Sequence, residues 1–532
     1  MRFSLTPADH QGTPREIYGW RPYFLAITTA WASAAFGYDA AFIGGAMALP
    51  AFKHAFGLDT APPSQAAALS SNIVSTFQAG AFFGSFVGFF LGERFGRKRV
   101  IMAAMAVLVI GVVLQLIQLL ALLYVGRSMT GFGVGISAML LPVYIAECSP
   151  PLIRGRLVGI FEIMLQIALV CGFWVNYGVA INVDPHSDSQ WRIPISIQFV
   201  PALLTLICMP WNIESPRWLV TKNRIAEARK NLAWVRHLPE DHEYVEKELN
   251  EIQASVELEL EMSGGKQTTW ELVKEISRAG VRNRLIIGVT MMWFQNLTGI
   301  NAINSYSPLL LQSIGYTGTT VSLLATGVYG ILKMCSTVVF MIFIVDRFGR
   351  RPPLLVGALV IVIAMYYIGS YAKISGSFDH EVPRDNASNA ALAMVYIFII
   401  AHSASWTGIP WIFASESFPT RVRTLGVMII VCSQWLAQFC VVYSLPYMLA
   451  AIKYGTFFFY GSCTVGAFLY AWLFVPETKG IPLEDMDLLF SDAPIYAPAA
   501  RKRYLESKAA GLDAIAVHRL QQKSDVQQVE VA

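Results

Sequence analysis

Apolar residues in this chain gather into long blocks separated by short polar interruptions, with no sustained alternation of apolar and polar positions that would mark strands. A membrane-spanning helix needs about 20 apolar residues. Twelve stretches approach or exceed that length, near 22–49, 70–92, 100–120, 122–146, 157–181, 193–211, 284–311, 319–345, 353–372, 391–413, 424–449 and 455–475. The pattern predicts an all-α membrane protein. The third and fourth stretches run into one another at Leu120 and Ala121 with no turn residue between them, so length and the internal repeat place that break. Polar segments divide the rest into an N-terminal segment (1–21), six spans (22–211), a linker (212–283), six further spans (284–475) and a tail (476–532) expected to be largely disordered. In the linker, the spacing of Ile225, Leu232, Val235, Val245, Leu249, Ile252 and Val256 predicts short amphipathic helices. Joining two bundles is enough to explain them, and a gating role is an additional reading.

The polar interruptions repeat. Glu93-Arg94-Phe95-Gly96-Arg97-Lys98 returns as Asp346-Arg347-Phe348-Gly349-Arg350-Arg351, and Glu147 with Arg154 and Arg156 returns as Glu416 with Arg421 and Arg423. Ile213-Glu214-Ser215-Pro216-Arg217 is echoed more weakly by Val475-Pro476-Glu477-Thr478-Lys479. Three acid-and-base clusters in the same order, about 250 to 270 residues apart, indicate two related halves, each a six-helix bundle.

Composition agrees: 55% of residues are apolar, 14% are charged and the mean hydropathy is +0.49. Arg94, Arg97, Lys98, Arg99, Arg154, Arg156, Arg347, Arg350, Arg351, Arg421 and Arg423 fall in short loops on one side, against Lys53, Arg192, Lys373, Arg384 and Lys453 on the other. That asymmetry predicts a cytoplasmic charge-rich side with both termini on it. The net charge of +4 is therefore a topology signal and gives no indication of nucleic-acid binding. The first twenty residues are polar and lack a cleavable signal, so the first span is expected to target the chain to the membrane. The seven cysteines stand singly, which argues against a disulfide framework and a metal site. Asn386-Ala387-Ser388 is a glycosylation acceptor pattern in the longest external loop, whereas Asn296-Leu297-Thr298 falls within a span and should be unused.

Charges inside spans point to function. A charge at mid-membrane costs at least about 2.5 kcal/mol, so Asp39 must be paired, protonated or facing water, and Arg127 is in a similar position. Lys333 interrupts an otherwise apolar eighth span, and an ammonium facing a central cavity would meet a carboxylate. Snorkelling and pairing with another residue are the alternatives. His402 in the tenth span could titrate, although packing is the commoner use of such a residue.

Gly126-Arg127 with Gly131, Gly133 and Gly135, the two Arg-Phe-Gly-Arg loops, Glu214-Ser215-Pro216-Arg217, Gln295 with Gly299 and Asn301, and Pro476-Glu477-Thr478-Lys479-Gly480 resemble the sugar porter branch of the major facilitator superfamily over about residues 30–490. Within it, Gly37 to Gly44, Ser71 to Ser75, Gln78 to Gly84 and Gly299 to Asn304 are most similar to fungal quinate permeases. The resemblance implies twelve transmembrane helices in two pseudo-symmetric bundles and makes Asp39 and Arg127 proton-coupling partners. An Asp that is ionised beside Arg in one state and protonated away from it in another carries a proton with the solute; a permanent salt bridge is the alternative. The resemblance also implies that Gln166, Gln295, Asn296, Asn301, Trp411, Gln434 and Gln438 line the cavity. Amides can donate to and accept from hydroxyls, and an indole packs a ring, although interhelical bonding is a common alternative use. Glu93, Arg94, Arg97, Glu147, Arg154, Arg156, Glu214, Arg217, Asp346, Arg347, Arg350, Glu416, Arg421 and Arg423 are then expected to form cytoplasmic salt bridges that hold the halves together and part during transport.

This chain departs from the family pattern at Ile213, where a Pro usually stands, and at Ser305-Tyr306 in place of paired Tyr. Gln295-Asn296 replaces paired Gln, and Gln434 and Gln438 stand where Asn is expected. Together these features predict a plasma-membrane carrier that imports a small polyhydroxylated solute, quinate or a related hydroxy or sugar acid, by proton-coupled alternating access. It needs no cofactor beyond the proton gradient. A neutral hexose or pentose carrier, an exporter of a specialised metabolite and a non-transporting sensor are the alternatives. An enzyme is disfavoured, because no nucleophile motif, metal-ligand cluster or phosphate-cradling loop stands out.

Overall fold

The computed structural model describes residues 14–261, 269–312, 316, 318–378, 380, 385–479, 481, 486–490, 496–497, 502 and 504–505. Among these residues the regular structure is helical. The first half comprises α1 (Trp20–Ala48), α2 (Pro63–Phe95), α3 (Arg97–Gln115), α4 (Leu120–Cys148), α5 (Arg154–Asn182) and α6 (Ser189–Trp211). The second comprises α7 (Ala279–Leu297 and Ile300–Gln312), α8 (Thr319–Ile344), α9 (Arg351–Ser375), α10 (Asn386–Ser403 and Ile409–Glu416), α11 (Thr420–Ile452) and α12 (Gly455–Phe474).

Ten described helices are long and apolar enough to cross a membrane. The other two spans are α1, rich in Ala, and the interrupted α7. The expected boundaries need small corrections. Helix α2 begins at Pro63, and the unmarked break falls earlier than Leu120, because α3 ends at Gln115 and Leu119 is extended (φ −141°, ψ 119°). Close approach fixes this hairpin: a Cβ on Gly126 would lie 2.5 Å from the Gly111 carbonyl oxygen. The same logic binds α2 to α4, where Cβ atoms on Gly80, Gly84, Gly131 and Gly135 would meet facing carbonyl oxygens at 2.0 to 2.2 Å. Backbone contact of this kind replaces the hydrophobic driving force that lipid removes.

The halves meet along three seams. Helix α2 packs on α11, with Ser71 Oγ donating to the Tyr443 carbonyl (2.6 Å) and Phe77 edge-on to Trp435 (6.1 Å). Helix α5 packs on α8, and α1 packs on the second segment of α7, where a Cβ on Gly44 would lie 2.1 Å from the Ser305 carbonyl oxygen.

The linker folds into Pro216–Thr221, Ile225–Arg236, Glu243–Glu261 and Thr269–Ile276. Arg236 tethers it, donating to both oxygens of Glu248 (2.8 and 2.6 Å) and to the Cys148 carbonyl at the end of α4 (2.9 Å). The tail departs from the expected disorder at Met486–Phe490. This short helix sits under α7, with Arg284 donating to the Met486 carbonyl (3.3 Å) and Phe490 packed against Phe413 (6.2 Å). Burial of Met486, Leu489 and Phe490 accounts for that ordering. Tail residues 506–532 lie outside the described residues.

Candidate functional site

At the charge-rich end the sequence repeat becomes a structural one. Gly96 (φ 97°) and Gly349 (φ 85°) turn the chain between paired spans in a conformation that favours glycine, and each seats a carboxylate. Glu214 accepts from the backbone N–H groups of Arg97 (3.0 Å), Lys98 (3.1 Å) and Ser215 (3.0 Å), while Glu477 accepts from those of Arg350 and Arg351 (3.0 Å each). Burial pushes the Glu214 carboxyl up, against these donors, which hold it down. Arg97 pairs with Glu93 (2.8 Å) and Glu147 (3.2 Å), and Arg350 pairs with Glu416 (3.1 Å).

These bonds join helices of the same half. In this state, with the opposite end closed where α1 meets α7, each guanidinium is held under the loop of its own hairpin, within reach of its own half's carboxylates, and these pairs do not engage the expected lock between halves. Arg94 and Arg347 lie over Phe95 (5.3 Å) and Phe348 (5.9 Å), Arg154 and Arg156 are exposed, Arg217 is half-buried, and Arg423 donates to the Phe418 carbonyl (3.3 Å). The side chains of Asp346 and Arg421 lie outside the described residues. A Cβ on Gly96 would fall 2.4 Å from a Glu214 oxygen. Gly96→Ala is therefore expected to lower stability by about 1–3 kcal/mol, read as a reduced melting temperature of the detergent-solubilised protein; an unchanged melt would contradict this account of the turn.

Deep in the first half, Asp39 of α1 and Arg127 of α4 form an ion pair, each only 1% exposed. Arg127 also donates to the Ile73 carbonyl (3.3 Å) and lies over the rings of Phe77 (4.8 Å) and Phe42 (5.6 Å). The second Asp39 oxygen, Oδ2, has no hydrogen-bond partner.

The central polar groups gather where two helices of the second half are interrupted. Helix α7 breaks at Thr298 and Gly299 (φ 91°), and α10 breaks between Ser403 and Ile409. Gln295 Nε2 donates to the freed carbonyls of Trp406 and Thr407 (3.0 Å each), leaving its Oε1 unpartnered. Asn301 donates to Asn296, which donates in turn to Gln434 on α11 and to the Met292 carbonyl (2.8 Å). Asn296 and Gln434 thus already bond between α7 and α11, and Asn301 bonds across the break within α7. Gln438 is buried and Trp411 half-buried on the neighbouring elements. His402 shares a hydrogen bond with Thr407 (2.9 Å), and its Nε2 is unpartnered.

Lys333 of α8 is 5% exposed and makes no hydrogen bond or ion pair among the described residues. Gln166 of α5 donates to Glu162 (2.8 Å), a residue absent from the sequence expectations, and its Oε1 is unpartnered. Glu162 is an acid inside the predicted fifth span, and the rule that singled out Asp39 applies to it equally.

Two six-helix halves, with interrupted helices and buried polar groups beside the breaks, have the organisation of a secondary carrier. Residues 25–490 match the family described as "Sugar (and other) transporter", and the chain belongs to that family, the sugar porters of the major facilitator superfamily. It is 38% identical over 498 residues to a probable quinate permease of Neosartorya fischeri, covering 92% of this chain and 91% of the relative. A probable quinate permease of Aspergillus niger is 39% identical over 503 residues, covering 93% of each chain. Among solved structures, the partially occluded inward-open xylose transporter XylE of E. coli aligns with a TM-score of 0.72 at 26% identity, covering 87% of this chain and 99% of that one. The proton:xylose symporter XylE bound to 6-bromo-6-deoxy-D-glucose gives 0.72 at 27%, covering 88% and 99%. The chain is accordingly a multi-pass membrane transporter and no enzyme.

Proposed function

We propose that this protein imports quinate, or a closely related hydroxy or sugar acid, across a fungal plasma membrane together with a proton, with both termini cytoplasmic. The observation that carries the choice of substrate is Lys333, a buried ammonium without a bonded partner among the described residues, one side of which is the seam between the halves. A carboxylate satisfies such a cation, and a neutral sugar does not. The resemblance to probable quinate permeases supports the same choice. Gln166, Gln295, Asn296, Asn301, Trp411, Gln434 and Gln438 would hold the hydroxyls and ring; Gln166 and Gln295 keep free acceptors for that purpose. Asp39 and Arg127 would carry the proton. The cytoplasmic charge clusters would brace each half as the halves rock against one another.

The test is uptake of labelled quinate, with glucose and galacturonate in parallel, in a transport-deficient yeast at acidic and neutral pH. Quinate uptake stimulated by acid and reduced at least about tenfold in Lys333→Ala is expected, a factor equivalent to about 1.4 kcal/mol of lost binding. Glucose uptake indifferent to Lys333 would instead establish the neutral-sugar carrier, the reading favoured by the sugar bound to XylE.

A further inference from the structure

Helices α5 and α8 come from opposite halves and run antiparallel against each other. A Cβ on Gly327 would meet the Trp174 ring at 3.1 Å, and one on Gly330 would meet the Phe173 ring at 2.7 Å and Val170 Cα at 3.7 Å. Numbers rise on α8 as they fall on α5, so the next turn of α8, with Lys333, faces the turn of α5 that carries Gln166 and Glu162. Glu162 and Lys333 interact electrostatically across this seam, short of an ion pair. Three polar groups lie on these facing turns: Glu162 accepts from Gln166 (2.8 Å), Gln166 Oε1 is unpartnered, and Thr337 Oγ1, one turn beyond Lys333, is buried and unpartnered. From α10, His402 is the other titratable group that interacts with Lys333. From α1, the nearest contribution is neutral, the Ser33 hydroxyl donating to the Phe161 carbonyl (2.6 Å).

We propose that Glu162 is the resident counter-charge of Lys333, and that it yields this cation to the carboxylate of the transported anion while taking up a proton. The proposal rests on the hydroxy-acid reading above and extends it to the residue that makes anion binding electroneutral. Before binding, the site holds Glu162 carboxylate and Lys333 ammonium. A substrate carboxylate entering alone would leave two negative charges beside one positive charge in a region that excludes bulk water, an arrangement strongly disfavoured. If one proton enters with it, Lys333 pairs with the substrate and Glu162 becomes a neutral acid, which can donate to the free Oε1 of Gln166. The balance is one anion and one proton bound, with no change in net charge. Because Glu162 and Lys333 lie on different halves, the exchange also replaces a direct attraction across the seam with one bridged by the solute, tying occupancy to the relation of the halves.

The experiment uses the full chain, purified in detergent, with quinate added in weakly buffered solution and proton uptake read by a pH indicator, alongside quinate KM from uptake in cells. The wild type should take up roughly one more proton per bound quinate than Glu162→Gln. The variant should show a several-fold lower quinate KM at neutral pH, because the competing carboxylate is gone, with Vmax changed much less. A merely structural glutamate would not lower KM. Quinate transport by the wild type with identical proton uptake and KM in Glu162→Gln would overturn this inference and leave the proposed function standing; no quinate transport by the wild type would overturn both. Should the single variant fold poorly, Glu162→Gln/Lys333→Met removes both charges together. It should bind quinate at least tenfold more weakly, a factor equivalent to about 1.4 kcal/mol, and take up roughly one proton fewer per bound quinate than the wild type. Proton uptake equal to that of the wild type in the double variant would overturn the proposal.

Discussion

Asp39→Asn is expected to abolish accumulation of substrate against a gradient while leaving exchange of labelled for unlabelled substrate at equal concentrations. Accumulation at acid pH should fall at least about tenfold, because the variant can no longer alternate between an ionised and a protonated state. Exchange needs only that the halves alternate with substrate bound, and an amide can still accept from Arg127. The burial of the pair sharpens the contrast. Arg127 lies over the rings of Phe42 and Phe77 and keeps the Ile73 carbonyl, so its position does not depend on Asp39 alone. Its charge does: leaving a buried cation unpaired is destabilising by about 3–5 kcal/mol in the general case, and some loss of thermal stability should accompany the transport defect. Uptake and exchange measured side by side, each normalised to protein at the cell surface, check this. Wild-type accumulation in Asp39→Asn would make the pair a structural salt bridge and nothing more.

The architecture was legible because membrane helices are written in long, composition-biased runs and because the acidic and basic loops repeat. Gly96 and Gly349, with Glu214 and Glu477, occupy equivalent places in the fold as they do in the repeat. Pairing was less legible. The charge clusters read as a lock between halves, yet Arg97 and Arg350 close onto their own hairpins, since sequence shows which charges share an end of the molecule and leaves open which are neighbours there. The break between α3 and α4 was misplaced because close packing of Gly111 on Gly126, rather than a turn residue, determines it. Glu162 was within reach of sequence reasoning, being an acid in a span, but its meaning depends on Lys333, more than 150 positions away on a helix of the other half. The ordered Met486–Phe490 was hidden in a polar tail because five residues are too few to show a period.

Gly44→Ala is expected to produce a folded protein that binds substrate and transports little. At the end of the molecule opposite the charge-rich loops, α1 closes against the second segment of α7, and a Cβ on Gly44 would stand 2.1 Å from the Ser305 carbonyl oxygen. That obstacle is backbone and cannot swing aside. The same closure is held by Tyr306, whose hydroxyl donates to the Ser70 carbonyl (3.2 Å), and Tyr306 itself sits at a kink (φ −133°, ψ 26°) just before Pro308. Overpacking of this kind is unfavourable by about 1–3 kcal/mol. Here it falls only on the state in which this end is closed, because Gly44 and Ser305 belong to different halves. The equilibrium should shift toward the open arrangement by about tenfold to a hundredfold, each factor of ten corresponding to about 1.4 kcal/mol. Gly45 provides the control: its Cβ would meet the Asn176 side chain at 2.5 Å on α5, within the same half, so the clash is present whichever end is open. Gly45→Ala should therefore lower the melting temperature, whereas Gly44→Ala should leave it nearly unchanged, preserve substrate-induced stabilisation and reduce uptake at least about tenfold. Equal uptake by Gly44→Ala and wild type would mean that closure of α1 on α7 is not part of the transport cycle.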